Sequence, residues 1–440
     1  MAQSIRQDMT FGVELEFLTP TGAVDGLADD KNELRLRTRK AFATEMALLA
    51  KHTPVATLCA DHKDGPTCAV CDESADAIIH PGVVVLSQER PPQTSSVHPR
   101  YQYFLVQHEC LSSLDIQGEW TGLEISTPIL DMSELDDGLP RLSRVLSALR
   151  KTGMRVLANE SCGLHIHVGT RSGMRLMHAK KVATLVALLE HHVLLALLPY
   201  RRSETFSSRS IGQFSRFARQ MSRGYVYKDM LAADSHPAMN EHLPPSWTSK
   251  RLPRRPWTRL PLTMKFLLVA ALFAGALALI WSSGTLVELQ DGLHMREGGR
   301  AGVALYLREP GQGKPPLDSN GLPRSDDHDL QGTEPTYEGA QSTYEFRFPQ
   351  MSFDGDFIKH WAELCCKMVE LAMLPAPQFA ALLERLTGVL EGIEDKESGL
   401  QNIWPVLGLQ HQSPFWAAQL RRQEMDEDIS HLDERGFLLP

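Results

Sequence analysis

The chain has no excess of positive charge. Its 45 Lys and Arg stand against 54 Asp and Glu, for a net charge of -9. That argues against a general nucleic-acid binder, whose footprint is a basic surface. Cysteine is scarce, at seven in 440 residues, and the count is odd. A disulfide framework is therefore not expected, and a reducing, cytoplasmic setting fits better. Met1 to Phe11 holds charged and polar residues without the apolar stretch a secretory leader needs. No internal repeat is found. No apolar run reaches the roughly 20 residues of a membrane span. Phe266 to Trp281 comes nearest, with Arg251, Arg254, Arg255, Arg259 and Lys265 upstream. It carries Ala270, Ala274 and Ala278 at four-residue spacing, which suits close packing against a neighbour, so a buried core helix is expected and no membrane association.

What remains is ordinary for a globular chain, with 42% hydrophobic and 22% charged residues. The length allows about two domains, or one enzyme domain with insertions. The stretch that organises the chain is Phe11-Gly12-Val13-Glu14-Leu15-Glu16-Phe17. Read as a strand, it points Phe11, Val13, Leu15 and Phe17 one way and Glu14 and Glu16 the other. Three later stretches repeat the design. Glu124 alternates with Leu123 and Ile125, His165 and His167 with Leu164, Ile166 and Val168, and Glu345 and Arg347 with Tyr344, Phe346 and Phe348.

Other segments are coarser. Glu33 to Lys51 has helical composition, Tyr101 to Val106 is a further strand leading to Glu109, and Val83 to Leu86 is a short one. Helices are expected across Leu139–Leu149, Leu176–Leu198 and Phe357–Leu371, the last with apolar residues at 4-3-4-3 spacing. Pro-punctuated or Gly-rich stretches at about 59–100, 203–262 and 309–342 read as inserted loops. The expected organisation is a catalytic domain over 1–375, followed by a peripheral helical extension over 376–440.

An antiparallel sheet with one face on helices and the other exposed to a cleft satisfies all four alternating stretches. That open face would hold four carboxylates, two imidazoles and a guanidinium. Like charges crowded there need a counter-ion, and hard divalent cations take carboxylate oxygens while Arg grips phosphate with a planar fork. Mg²⁺ is the natural ion, with Mn²⁺ the alternative given the imidazoles. Taken singly, each stretch is also the polar face of a half-buried strand or an arm of a surface ion pair.

Gly12-x-Glu14-x-Glu16, Gly122-Leu123-Glu124-Ile125-Ser126-Thr127-Pro128, Gly163-Leu164-His165-Ile166-His167 and Tyr344-Glu345-Phe346-Arg347-Phe348-Pro349, in this order and followed by a helix with Trp361, resemble the glutamine synthetase-like carboxylate–amine ligases. The resemblance is to the branch of amidoligases and runs from about Phe11 to Pro375. It implies an α+β fold, with a curved antiparallel sheet of glutamine synthetase type and helices on its outer face. It also implies ATP-dependent formation of an amide or isopeptide bond through an acyl phosphate. Glu14 and Glu16 would hold Mg²⁺ bridging ATP, and Glu124 a metal on the substrate side. His165 would ligate a metal near the γ-phosphate, and His167 would sit beside substrate or nucleotide. Glu345 would be a further ligand, and Arg347 would stabilise the transferring phosphoryl group. Arg202, after Leu198-Pro199, fits a phosphate- or substrate-binding Arg, and Arg300 is a weaker candidate. Glu109 stands where the branch usually has Asp, which leaves its role open.

Two readings compete with this one. His165-x-His167 could serve a metal-dependent hydrolase, or the chain could be a non-catalytic binder of nucleotide or partner. Cys59, His62, Cys68 and Cys71 include one pair at zinc-ligand spacing, but free loop thiols are the expected state. His191 and His192 are expected to be packing or surface residues. The acid, the amine and the oligomeric state are not legible.

Overall fold

The computed structural model describes residues 2–21, 31–58, 78–80, 83–89, 91, 97–112, 119–198, 210–211, 215–218, 237–248, 277–295, 301–308, 340–391, 396–425, 431–433 and 436–439. The zinc candidates Cys59, His62, Cys68 and Cys71 lie outside this set. So do Arg201, Arg202 and Arg300, most of the three expected loops, and the first part of the apolar run.

The fold of the described residues is α+β, built on one large, mostly antiparallel sheet of ten strands. In chain order these are β1 (Met9–Pro20), β2 (Val55–Leu58), β3 (Ile78–His80), β4 (Val83–Val85), β5 (Phe104–His108), β6 (Trp120–Ser126), β7 (Leu130–Asp131), β8 (Leu164–Thr170), β9 (Val303–Tyr306) and β10 (Thr343–Phe346). Their spatial order is β3-β4-β2-β5-β6-β1-β8-β10-β9, and β7 pairs with the start of β1. Among the described strands only β2 and β5 run parallel. The strand expected at Tyr101–Val106 begins three residues later, because Pro99–Tyr101 forms a 3₁₀ turn first.

The central strands obey the alternation. Phe11, Val13, Leu15 and Phe17, with Leu123, Ile125, Leu164, Ile166, Val168, Tyr344 and Phe346, all join the main core. Helix Gly355–Ala372 covers that face of β1 and β8. Asp354 caps it by accepting from the backbone N–H groups of Asp356 and Phe357, and its apolar stripe includes Phe357, Trp361, Leu364, Met368 and Val369. Helix Pro140–Lys151 buries Leu142, Val145, Leu146 and Leu149. Phe42 on helix Lys31–Leu49 packs on Phe17, with ring centres 5.1 Å apart. The open side of β1, β6, β8 and β10 is therefore free to carry polar groups.

Two expectations change. The helix expected to reach Leu198 is α-helical only over Leu176–Leu189 and continues as a π turn, Glu190–Leu194. There the buried Glu190 carboxylate accepts from Ser210 Oγ and from Ile211 N, each at 2.6 Å. The side chain is turned inward to hold the next segment, which a continuous surface helix would not require. The C-terminal stretch is helical, over Ala376–Glu391, Lys396–Leu407 and Ser413–Glu424, but it is not peripheral. Trp404 and Trp416 are fully buried in the main core, and the Trp416 ring meets Trp361 and Phe357 edge-on. Large indoles bury enough apolar area to bind that tail to the sheet domain.

The described end of the apolar run, Leu277 to Trp281, is helical and buried. Among the described residues no helix is long and apolar enough to cross a membrane.

Candidate functional site

Register decides what the open face presents, since residues directly paired across strands share a face. Glu14 pairs with Ser126 and Glu16 with Glu124 on one side of β1. On the other side Glu14 pairs with His165 and Gly12 with His167. His167 in turn pairs with Glu345, and Glu124 with Gln107. The four alternating stretches thus come to lie side by side and put their polar residues on one surface.

Among the described residues, the ligating atoms of that surface fall into two groups, the atoms of each within 4.8 Å of one another. One is Glu14, His167 and Glu345; the other is Glu16, Glu109 and Glu124. His167, expected beside substrate or nucleotide, is part of a potential ligand set. Glu109, which had no role, completes the second set. His165 lies between the sets: its Nδ1 is 3.2 Å from Glu14, 3.5 Å from Glu16, 3.6 Å from Glu345 and 3.4 Å from Arg347 Nη1. Arg347 donates to Glu345 Oε1.

The first set suits a cation for a geometric reason. His167 Nδ1 lies 3.0 Å from Thr343 Oγ1, which turns the ring so that Nε2 faces the acids. Nε2 is 3.0 Å from Glu14 and 3.7 Å from Glu345, yet it is buried without a well-directed hydrogen bond. A proton on Nδ1 leaves the Nε2 lone pair free for a metal, the usual arrangement of a ligating imidazole held from behind. The second set is all oxygen, as Mg²⁺ prefers.

Charge follows the same division. Burial by itself would raise the Glu14 carboxyl, but attraction to the His167 ring and the hydrogen bond with His165 outweigh it and hold the group well below its ordinary range. Glu124 is pushed well above that range, first by burial and then by the anions of Glu14, Glu109 and Glu16. Glu109 is raised for the same two reasons, burial and the Glu16 charge. Burial opposes the charge on Arg347, but Glu345 and Glu16 more than compensate and hold it protonated. Cys162 adjoins the face, and burial pushes its thiol up to about 12, so it is no nucleophile at neutral pH.

Residues missed by sequence reasoning support the second set. Gln107 Nε2 donates to Glu124 Oε1 at 2.7 Å, and Ser126 Oγ donates to the same oxygen. Gln107 opposes Val106 in β5, so alternation carried a signal that went unused. Glu16 Oε2 accepts from the backbone N–H of Gly163 at 2.6 Å.

A stability test follows from Glu124. Its raised folded-state pKa means the native protein binds this proton more tightly than the unfolded chain does. Without a cation, stability is therefore lost as pH rises from the unfolded value, near 4.5, through the raised folded one. Glu124→Gln removes the buried charge, and its amide can donate to Glu16 or Glu109. In EDTA this variant is expected to melt several degrees higher than the parent at about pH 7. It is also expected to lose most of the parent's decline in Tm between about pH 5 and about pH 8. A variant that melts lower and keeps the full decline would show that Glu124 is not under charge strain.

Residues 7–244, more than half of the chain, match a family model described as "Putative amidoligase enzyme". The matched stretch contains Glu14, Glu16, Glu109, Glu124, His165 and His167, and it ends before Glu345 and Arg347. No curated protein sequence matches the chain.

Proposed function

From the chain's membership of the amidoligase family, we propose that it is an ATP-dependent ligase joining a small-molecule or peptide carboxylate to an amine. The observation that carries the reading is the pairing of two ligand sets with a guanidinium on one strand face: Glu14, His167 and Glu345; Glu16, Glu109 and Glu124; and Arg347, which donates to Glu345 and lies 3.4 Å from His165 Nδ1. Phosphoryl transfer needs positioned positive charge more than covalent help from the protein. The two sets would hold Mg²⁺ or Mn²⁺, which would neutralise phosphate charge and polarise the γ-phosphoryl group.

In this reading an oxygen of the acid substrate attacks the γ-phosphorus. The P–O bond to ADP breaks, and an acyl phosphate forms. The amine nitrogen then attacks the acyl carbon, the C–O bond to phosphate breaks, and an amide and inorganic phosphate leave with loss of the amine's proton. Arg347 would contact the equatorial oxygens of the moving phosphoryl group, and Glu345 fixes the guanidinium by accepting from Nη1. His165, touching carboxylates of both sets, keeps Glu14 and Glu16 oriented toward their respective groups. The hydrolase alternative has less support, because one of the two sets contains no imidazole.

Mg²⁺ with ATP is expected to raise the melting temperature more than either alone, since the acidic face repels itself without cations and the phosphates need them. Equal shifts with ATP in excess EDTA would remove the basis for the site. A phosphate-release screen with pools of amino acids, peptides and polyamines would then identify the substrates. A ligase releases phosphate only when acid and amine are both present.

A further inference from the structure

The same strand face continues past Glu14 and His167 into a pocket whose remaining lining residues have no role in the reaction described above. Its floor is made of small residues, Thr10 and Gly12 of β1, Gly169 of β8 and Thr343 of β10. At its far end stands Arg308, just after β9, with its backbone N–H donating to Ser342 Oγ at 2.9 Å. Its guanidinium carbon lies 4.8 Å from the ring centre of Tyr306 and 5.2 Å from that of Tyr101. Tyr306 also meets the His167 ring edge-on, with centres 5.3 Å apart. The clasp is therefore coupled to the imidazole of the first ligand set. Arg100 lines the pocket as well, its guanidinium carbon 5.4 Å from the Tyr101 ring centre.

A guanidinium packed against aromatic rings keeps its in-plane N–H donors for hydrogen bonds. Arg308 Nε is buried and has no hydrogen-bond partner among the described residues. A buried donor left unpaired is costly, and a planar fork is matched by an oxyanion. Arg308 turns its guanidinium back onto Tyr306, whose ring centre is 5.3 Å from that of His167 in the first ligand set. An oxyanion at the clasp would thus lie a short polyphosphate's reach from the first ligand set.

We propose that Arg308, held between Tyr306 and Tyr101, grips the α- or β-phosphate of the nucleotide whose γ-phosphate meets Arg347. This rests on the ligase reading, and it gives the nucleotide a direction. The phosphate tail runs over the small residues of β1, β8 and β10, and the nucleoside points to the Arg100–Tyr101 end. The carboxylate of the acid substrate has similar oxyanion chemistry, but the pocket opens from Glu14 and His167 and not from the Glu16, Glu109 and Glu124 set.

Titration calorimetry of the full chain with ATP, ADP and adenosine, each with Mg²⁺, tests this. Arg308→Ala is expected to weaken ATP and ADP by about thirtyfold or more, as loss of a charged hydrogen-bond donor does. Adenosine should stay within about twofold of the parent, and Arg308→Lys should fall between for the phosphorylated ligands. Ligand-free melting curves verify folding, and if Arg308→Ala does not fold, Arg308→Lys carries the comparison. Unchanged ATP and ADP affinity, or an equal loss for adenosine, overturns the phosphate grip and leaves the ligase reading standing. A parent protein that binds neither ATP nor ADP with Mg²⁺ overturns the ligase reading itself.

Discussion

Arg347→Lys is expected to leave Mg²⁺–ATP binding within a few-fold and to lower turnover by about a hundredfold or more, the effect of losing one preorganised electrostatic contact. The guanidinium donates to Glu345 of the first set and lies 3.4 Å from His165 Nδ1, which is itself 3.5 Å from Glu16 of the second. Charge spreads over the γ-phosphoryl oxygens during transfer, and a planar fork can contact two of them while also holding Glu345. Lysine keeps the charge as a point on a flexible stem and loses the fork. Ground-state binding, shared among metals and other contacts, should therefore change little, while the rate should fall. Glu345→Gln should differ, because it removes a carboxylate from the first set and so should raise the apparent Mg²⁺ requirement along with slowing the reaction. Both variants should stay folded, since Tyr344 and Phe346 keep the apolar face. The measurement is calorimetry with Mg²⁺ and ATP, followed by steady-state rates over a Mg²⁺ titration with the substrate pair from the screen. Parental turnover in Arg347→Lys would make Arg347 a structural residue.

Gly163→Ala is expected to abolish activity while leaving a folded protein. A Cβ added at Gly163 would lie 2.4 Å from His165 Nε2 and 3.1 Å from Glu16 Oε2. Neither neighbour has room to yield: His165 is 1% exposed and Glu16 5%. The imidazole would have to leave the position from which it touches Glu14, Glu16 and Glu345. The carboxylate would have to leave the Gly163 N–H, which it accepts at 2.6 Å. A misplacement of about 1 Å in a positioned site costs about a hundredfold, and here two groups move together. Overpacking of this kind costs about 1–3 kcal/mol of stability, which a domain with this much core survives. The expected result is a cooperative melt somewhat below the parent's, no Mg²⁺–ATP-dependent rise in Tm, and no turnover. A variant with the parent's nucleotide-dependent shift would show that the His165 position is not needed for the site.

Several residues show why some of this was legible from the start. Glu14, Glu16, Glu124, His165, His167 and Glu345 were identifiable because a strand turns successive side chains to opposite faces, so a polar residue between two buried apolar ones must face the other way. The helix at Gly355–Ala372 was visible through its apolar spacing. Its capping Asp354 fits the same local logic. Gln107 alternates with Val106 in a strand of only five residues, too brief a signal to stand out, and Glu109 lies just past the end of that strand, where alternation says nothing. Arg308 carried no local mark at all. It follows a four-residue strand and owes its place to Tyr101, more than two hundred positions earlier in the chain.

The amino-acid sequence by itself therefore determined which face each central strand turns outward, which residue types that face carries, and which helices cover the other side. These depend on periodicities of two and 3.6, which span a few residues. Only the tertiary structure decided how the outward groups are grouped. Strand order and register put His167 with Glu14 and Glu345, joined Glu109 to Glu16 and Glu124, left His165 between them, and drew the C-terminal tryptophans into the core. A pairing between β8 and β10 joins residues some 180 positions apart, and a slip of one residue would turn every ligand to the wrong face. No local pattern encodes that choice. It is made when the apolar faces of all the strands are buried at once against the same helices.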